Sequence, residues 1–407
     1  MYTSHLDNDC YKSHMGSFFW HHYRGLPTEY AYKCRDPQIN LQFIYDELQE
    51  AIAEMAFVGL KNEEQKWLFE NTKVTQDYLV NFLRDFHFKP SQVTLKKIDT
   101  NPGIEIRIKG PLEEASLWEM PLMSTISELY FRKKYGDRYG EILELAKKDL
   151  IAKIDKLLED LSSGKQISDN HGRLRPLINF LFSEFGTRRR LSFDFQDFAV
   201  GELRAYLAPC LVGTSNMLLA KKYDIKAVGT QAHECYMLMQ SIVHPEDSQK
   251  KFLRDWIEFY RGWLGICLTD TLGPKKWDRD FTRDLMIDYN GQRHDSGDPY
   301  KWGEERLKAY EREGIDAKEK IFLFSDNLTF DKALDLTKTF GDRINVSHGI
   351  GTYLSNNIPS VPEHKALNQV IKIVRANGRP VAKLSDDPMK AQCEDEIFLN
   401  YIKHISE

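Results

Sequence analysis

No C-x-x-C pair occurs in this sequence. Its six cysteines, Cys10, Cys34, Cys210, Cys235, Cys267 and Cys393, stand far apart. That spacing excludes a disulfide scaffold or a zinc ribbon and fits a reducing compartment. No apolar run approaches the roughly 18 residues that a membrane helix needs. The opening stretch MYTSHLDNDCYK has no apolar h-region, so no signal peptide is expected, and the N-x-S/T matches at Asn327 and Asn345 are read as chance. A strong excess of one charge is also missing. The net charge of −5 argues against a dedicated nucleic-acid binder, although Arg188-Arg189-Arg190 forms a local basic cluster able to meet an anion. Low-complexity segments and sequence repeats are absent. The expectation is a soluble cytoplasmic protein with no nucleic-acid or membrane partner.

What is present is enough apolar material for a large core. The chain has 407 residues, 42% of them hydrophobic and 12% aromatic, which suits two domains or one large barrel with an appendage. Residues 9–24 read as a helix, 27–35 as a strand, and 40–87 as two or three helices. Alternating apolar positions make strands of 93–98 and 104–110, and residues 121–162 read as helical, ending near Ser162-Ser163-Gly164. From about residue 175, short apolar runs alternate with amphipathic helices, the pattern of β/α units around a parallel sheet. Each run ends in glycine with polar residues: NFLFSEFGTRRR (179–190), LVGTSN (211–216), AVGTQAHE (227–234), GICLTDTLG (265–273), MIDYNGQRHDSGDP (286–299), IFLFSDNLT (321–329) and INVSHGIGTYLS (344–355). Active sites of (β/α)₈ barrels form where the strands end. The fold class is therefore expected to be α/β: an irregular, TIM-like (β/α) barrel over residues 126–359 beside an N-terminal α/β domain over 1–125. A hairpin closed by Asn377-Gly378 is expected to return residues 360–407 to that first domain.

The clusters have a chemistry. In VGTQAHECYM (228–237), His233-Glu234 resembles the start of a zinc-protease H-E-x-x-H helix, but the second His is missing one turn later. HGIGTYLS offers Gly349, Gly351 and Thr352 before a helix start, where phosphate can bind. Ser325, Asp326 and Asn327 of SDNLT form a second loop of this kind; in either loop a tight turn without ligand is the bland alternative. Arg293 can fork onto a carboxylate or phosphate, and Asp270, Asp295 and Asp298 can take ribose hydroxyls or magnesium. Turn capping explains Asp298 equally well. Phe185 beside Arg188 sets an aromatic face next to a cation; core packing and a solvated arginine face are the competing reading. The set suits a phosphorylated sugar and a flat anionic ring. The Asp-Asp loop of type I phosphoribosyltransferases is absent: Asp386-Asp387 lacks the loop that should follow.

FGTRRR, GTSN, GTQAHE, Thr269-Asp270, RHDSGDP, FSDNL and GIGT occur here in the order they have in the nicotinate phosphoribosyltransferase family, and LDNDCYK resembles that family's L-D-x-D-x-Y-K. The resemblance runs from about residue 6 to residue 400. It implies a type II phosphoribosyltransferase working as a homodimer with active sites shared across the interface. Its reaction makes nicotinate mononucleotide and pyrophosphate from nicotinate and phosphoribosyl pyrophosphate, a step of NAD biosynthesis by nicotinate salvage, with ATP as co-substrate and Mg²⁺ required. The resemblance makes His233 a phosphohistidine, with Glu234 orienting its ring. It stacks Phe185 on the pyridine, brings Tyr11 from the partner subunit to the other face, and makes Arg35 a cross-subunit phosphate ligand. Arg188 and Arg293 lie near the carboxylate and phosphoribosyl group, Asp270 and Asp295 hold ribose or Mg²⁺, and Gly349, Gly351 and Thr352 take the 5′-phosphate. Ser215 stands where the related nicotinamide enzyme has Asp, so nicotinate is expected over nicotinamide. A nicotinamide or quinolinate phosphoribosyltransferase on the same fold is the alternative. A barrel glycosidase and a non-catalytic barrel are weaker readings.

Overall fold

The computed structural model describes residues 2–163, 167–168, 174–175, 180–385 and 392–407. Gly164 and Asp386-Asp387 lie outside them. In chain order the strands are β1 (Pro27–Cys34), β2 (Val93–Lys97), β3 (Ile104–Pro111), β4 (Ile167–Ser168) and β5 (Leu174–Arg175). Next come β6 (Phe182–Glu184), β7 (Leu211–Thr214), β8 (Lys226–Ala227), β9 (Ile266–Leu268) and β10 (Gly291–His294). Last are β11 (Ile321–Phe324), β12 (Asn345–Ile350), β13 (Gln369–Ala376) and β14 (Arg379–Pro380). They make an antiparallel sheet ordered β14-β13-β1-β3-β2, a parallel sheet ordered β8-β7-β6-β12-β11-β10-β9, and the small ladder β4-β5.

Residue patterning accounts for both main sheets. In β3, Ile104, Ile106 and Ile108 are buried while Glu105 and Arg107 are only partly covered, the alternation of a sheet with one face on the core. In β11 the aromatic pair Phe322 and Phe324 is fully buried, as in a parallel strand between helices. β13 pairs along β1 from Gln369 opposite Cys34 to Ala376 opposite Thr28. The hairpin turn uses Asn377 and Gly378 at φ 50° and 73°, the left-handed pair a tight hairpin needs.

Parallel register puts the strand ends level. Glu184 pairs with both Ile350 and Thr214, His294 with Phe324, and Phe324 with His348. Seven polar clusters scattered along the chain are thereby gathered on one rim. The helix Cys10–Tyr23 reaches the same rim: Asp9 bridges Asn216, and the Cys10 amide donates to the Ser215 carbonyl at 2.7 Å.

Two local expectations need correction. The helical stretch 121–162 is two helices, Glu119–Tyr135 and Tyr139–Ser163, because Gly136 turns left-handed at φ 50°. The apolar run at 286–289 is not a strand. Residues Arg283–Asp288 are helical, and the strand is the polar GQRH that follows. Gly291 permits this, since a Cβ there would stand 2.1 Å from the Ile321 carbonyl oxygen of the neighbouring strand. Buried Gln292 is compensated by an indole N–H from Trp277 at 2.9 Å.

Candidate active site

A cavity of about 1230 Å³ opens on the rim. Fourteen of the residues nominated from sequence line it: Tyr11, Arg35, Phe185, Arg188, Ser215, His233, Arg293, Asp295, Ser325, Asp326, Asn327, Gly349, Gly351 and Thr352. Asp270, Glu234 and Asp298 do not line it; Asp270 lies behind the wall at 1% exposure.

His233 opens the helix His233–Met239 directly after an extended Ala232. Gly229 lets this loop lie against the helix Cys10–Tyr23: its φ is 144°, and a Cβ there would meet the Tyr11 amide nitrogen at 2.9 Å. His233 Nε2 is 2.6 Å from Asp270 Oδ1. The other Asp270 oxygen takes Lys383 Nζ at 2.9 Å and Ser296 Oγ at 2.7 Å. Burial lowers the His233 pKa below its ordinary value, with Lys383 adding to the effect against Asp270. Burial works to raise the Asp270 carboxyl, but Lys383 and His233 outweigh it and hold it well below the usual range. The stable pairing is a carboxylate with a neutral imidazole. Nε2 then carries the proton donated to Asp270, and Nδ1 keeps its lone pair.

Glu234 does not orient this ring. Its carboxylate accepts from Lys12 Nζ at 2.5 Å and from the Tyr30 hydroxyl. Lys12 also meets Glu119 at 2.6 Å, and the whole cluster is buried. Burial opposes charge on Lys12, yet Glu119 and Glu234 raise its pKa and keep it cationic.

Next to His233, Arg293 donates to Ser325 Oγ and to Asp295 Oδ1, each at 2.8 Å. Ser325 in turn donates to the His294 carbonyl and lies 2.9 Å from Asp295 Oδ1. Burial would raise the Asp295 carboxyl, but Arg293 foremost, then His233, lowers it. Asp295 Oδ2 remains 3.9 Å from His233 Nε2. Asp298 is absent from the cavity and caps the helix Pro299–Arg312.

The arginine triplet divides. Arg190 is buried in a two-pronged pair with Asp7 at 2.6 and 2.7 Å, a structural contact. Arg188 and Arg189 line the cavity; burial, with Arg188 and Arg35 nearby, lowers Arg189 to about 9. Phe185 lies under the Arg293 guanidinium at 6.0 Å. Gly349 and Gly351 have a role beyond a phosphate loop, because a Cβ at Gly349 would strike the Phe185 ring at 2.4 Å and one at Gly351 its carbonyl oxygen at 2.8 Å. These glycines seat the aromatic platform.

Tyr11 and Arg35 line the cavity of their own chain; their contribution across a subunit interface belongs to the proposed assembly. Ser215 Oγ donates to Asp9 Oδ1 at 2.7 Å, so its proton is already engaged. Sequence reasoning assigned no role to Asp9, Lys372 or Lys383, all on the cavity wall. Burial lowers Lys372 to about 8. The available signal was a lysine within the otherwise apolar strand VIKIV, where charge has no packing reason to be.

Residues 180–406 match the Nicotinate phosphoribosyltransferase (NAPRTase) family, and residues 6–127 match the NAPRTase N-terminal domain. The chain is 40% identical over 396 residues to nicotinate phosphoribosyltransferase of Pectobacterium carotovorum, covering 97% of this chain and 93% of that one. With that of Proteus mirabilis it shares 39% over 405 residues, covering 98% and 95%. Among solved structures, nicotinate phosphoribosyltransferase from Vibrio cholerae superposes with a TM-score of 0.91 at 34% identity, covering 99% of this chain and 93% of that one. The Porphyromonas gingivalis enzyme gives 0.88 at 29% identity, with all of both chains covered. The chain therefore belongs to the nicotinate phosphoribosyltransferase family.

Proposed function

We propose that this cavity joins nicotinate to phosphoribosyl pyrophosphate, releasing nicotinate mononucleotide and pyrophosphate, and that ATP drives the reaction through phosphorylation of His233. The observation that carries the coupling is the Asp270-held imidazole on the cavity wall. With its Nε2 proton fixed on Asp270, His233 presents Nδ1 as the nucleophile. Attack on the γ-phosphorus forms an N–P bond, breaks the P–O bond to ADP, and leaves an imidazolium whose charge Asp270 balances. Arg188, Arg189, Arg293 and Lys372 supply cations for the phosphates. Phe185 and Tyr11 supply aromatic faces for the pyridine. The pyridine nitrogen attacks the ribose carbon through a free lone pair, so no general base is required there, and positioning carries much of the rate.

Mg²⁺ prefers oxygen donors from one or two carboxylates together with substrate phosphates. His233, Asp270 and Asp295 bring ligand atoms within 4.8 Å of one another, but both Asp270 oxygens are engaged. Asp295 is therefore the carboxylate that fits. Bound there, Mg²⁺ would neutralise charge on the leaving pyrophosphate.

The parallel sheet is proposed to act as an irregular barrel. Its edges β8 and β9 are bridged by Thr230, whose hydroxyl donates to the Ile266 carbonyl at 2.8 Å. An N-terminal domain over 1–125 with 360–407 added, and a barrel over 126–359, remain the proposed division; β1–β13 pairing supports the return of the C-terminal segment. A homodimer is the proposed assembly, on family grounds. Six unpaired cysteines suit a cytoplasmic setting, and among the described residues no helix is long and apolar enough to cross a membrane.

The test is mononucleotide formation from labelled nicotinate, phosphoribosyl pyrophosphate and Mg²⁺, with and without ATP, for wild type and His233→Ala. Wild type should make product faster with ATP, and the variant should lose that stimulation. Equal stimulation of the variant would refute the histidine's role, and no product from wild type would refute the reaction.

A further inference from the structure

The resemblance puts the nicotinate carboxylate at Ser215, which lines the cavity, and its recognition there meets a problem. The Ser215 hydroxyl proton points to Asp9 Oδ1 at 2.7 Å. In that arrangement Ser215 offers only lone pairs to the cavity, and a second carboxylate stands directly behind it. An anionic substrate would then meet an acceptor backed by a like charge, which is unfavourable.

The pair is fixed in this geometry. Asp9 and Ser215 are both buried, at 6% and 3% exposure, and both line the cavity. The Asp9–Asn216 bridge and the Cys10 amide on the Ser215 carbonyl clamp the two backbones together. Turning the Ser215 side chain away would take from the buried Asp9 carboxylate the hydrogen bond it accepts there, a costly loss. Reversing the hydrogen bond is the remaining solution. A proton on Asp9 donates to Ser215 Oγ, and the Ser215 proton is released toward the cavity.

Resting on the reaction proposed above, we infer that Asp9 is a specificity-determining residue: nicotinate binds with Asp9 protonated, so that Ser215 donates to the substrate carboxylate. One proton enters from solvent and stays on Asp9; no covalent bond changes. Burial favours this state by raising the Asp9 pKa, while hydrogen bonds from Ser215 and Thr187 and the Arg188 charge act against it. The other groups facing Asp9 are Glu119 from the helix Glu119–Tyr135, Glu184 from β6, and Cys10 and Tyr11 from its own helix. Glu119 opposes ionisation of Asp9, and Arg188 is the cation among them.

The test is the KM for nicotinate between about pH 6 and 9, at saturating phosphoribosyl pyrophosphate and ATP. Coupled proton uptake predicts a wild-type KM that climbs toward roughly tenfold per pH unit above the Asp9 pKa. Asp9→Asn keeps the shape and places an amide donor toward Ser215. Whatever its absolute KM, its slope with pH should vanish, while the pH dependence of the KM for phosphoribosyl pyrophosphate should match wild type. A variant with the wild-type nicotinate slope overturns the inference, as does a flat wild-type profile. Should Asp9→Asn fail to fold, wild type still decides. Nicotinate binding heats in two buffers of different ionisation enthalpy should reveal proton uptake at the upper end of the range, and zero uptake overturns the inference. Absence of mononucleotide in every sample would overturn the reaction together with this inference; turnover with a pH-independent KM overturns the inference alone.

Discussion

His233 and Glu234 are neighbours in the chain and belong to two charged clusters of opposite character. The Lys12–Glu119–Glu234–Tyr30 cluster is closed by short pairings in the interior, and touches the cavity wall only through Lys372, 4.0 Å from Glu119. The His233–Asp270–Lys383 cluster is equally buried but opens on the cavity through His233 and Lys383. The first joins the helix Cys10–Tyr23 to the helix that begins at His233, and so fixes the position of the histidine. The second sets the tautomer of that histidine. Burial and pairing alone do not distinguish structure from chemistry; access to the cavity does.

The largest stability effect should come from breaking the closed cluster. Lys12→Met removes the cation that bridges two buried carboxylates, leaving Glu119 only the longer Lys372 contact, and should cost about 3–5 kcal/mol, read as a fall in the denaturant midpoint. An equal midpoint would remove the distinction between the clusters. In the open cluster, Asp270→Asn should mainly impair chemistry. Loss of the partner that orients a reacting imidazole should reduce ATP-stimulated turnover about 10- to 100-fold, by analogy with orienting groups at metal-bound histidines. A variant impaired equally with and without ATP would show that Asp270 acts elsewhere.

pH sharpens the contrast between cavity cations. Burial lowers Lys372 to about 8, so its ammonium is lost as pH rises through that value, well before an exposed lysine would lose its charge. The KM for phosphoribosyl pyrophosphate should therefore rise above about pH 8, and Lys372→Gln should show a flatter profile from a higher starting value. The smallest effect belongs to the exposed surface. The Lys66–Glu70 pair, with side chains 75% and 55% exposed, should contribute nothing measurable to Tm when Glu70 is changed to Gln.

Much of this architecture was legible in the sequence because strand ends announce themselves. Glycine with polar residues after a short apolar run located the rim loops, and fourteen of the nominated side chains reached one cavity, Asp270, Glu234 and Asp298 staying outside it. What escaped were groups whose meaning depends on distant partners. Nothing local says that Glu234 turns to Lys12, 222 positions away, or that Asp270 stands behind the wall and pairs with Lys383, which lines it. Arg188, Arg189 and Arg190 look alike in the sequence, and only packing sends Arg190 to Asp7. The strand Gly291–His294 was hidden because Gln292 and Arg293 find partners in neighbouring elements, Trp277 and Ser325, while the apolar run before it closes a helix.

Transfer of labelled γ-phosphate from ATP to the protein, followed by mapping of the acid-labile label, addresses the role of His233 without relying on turnover. The label should appear on His233 in wild type, be absent from His233→Ala, and fall sharply in Asp270→Asn. Stoichiometric acid-labile label persisting in His233→Ala would contradict the assignment of the nucleophile.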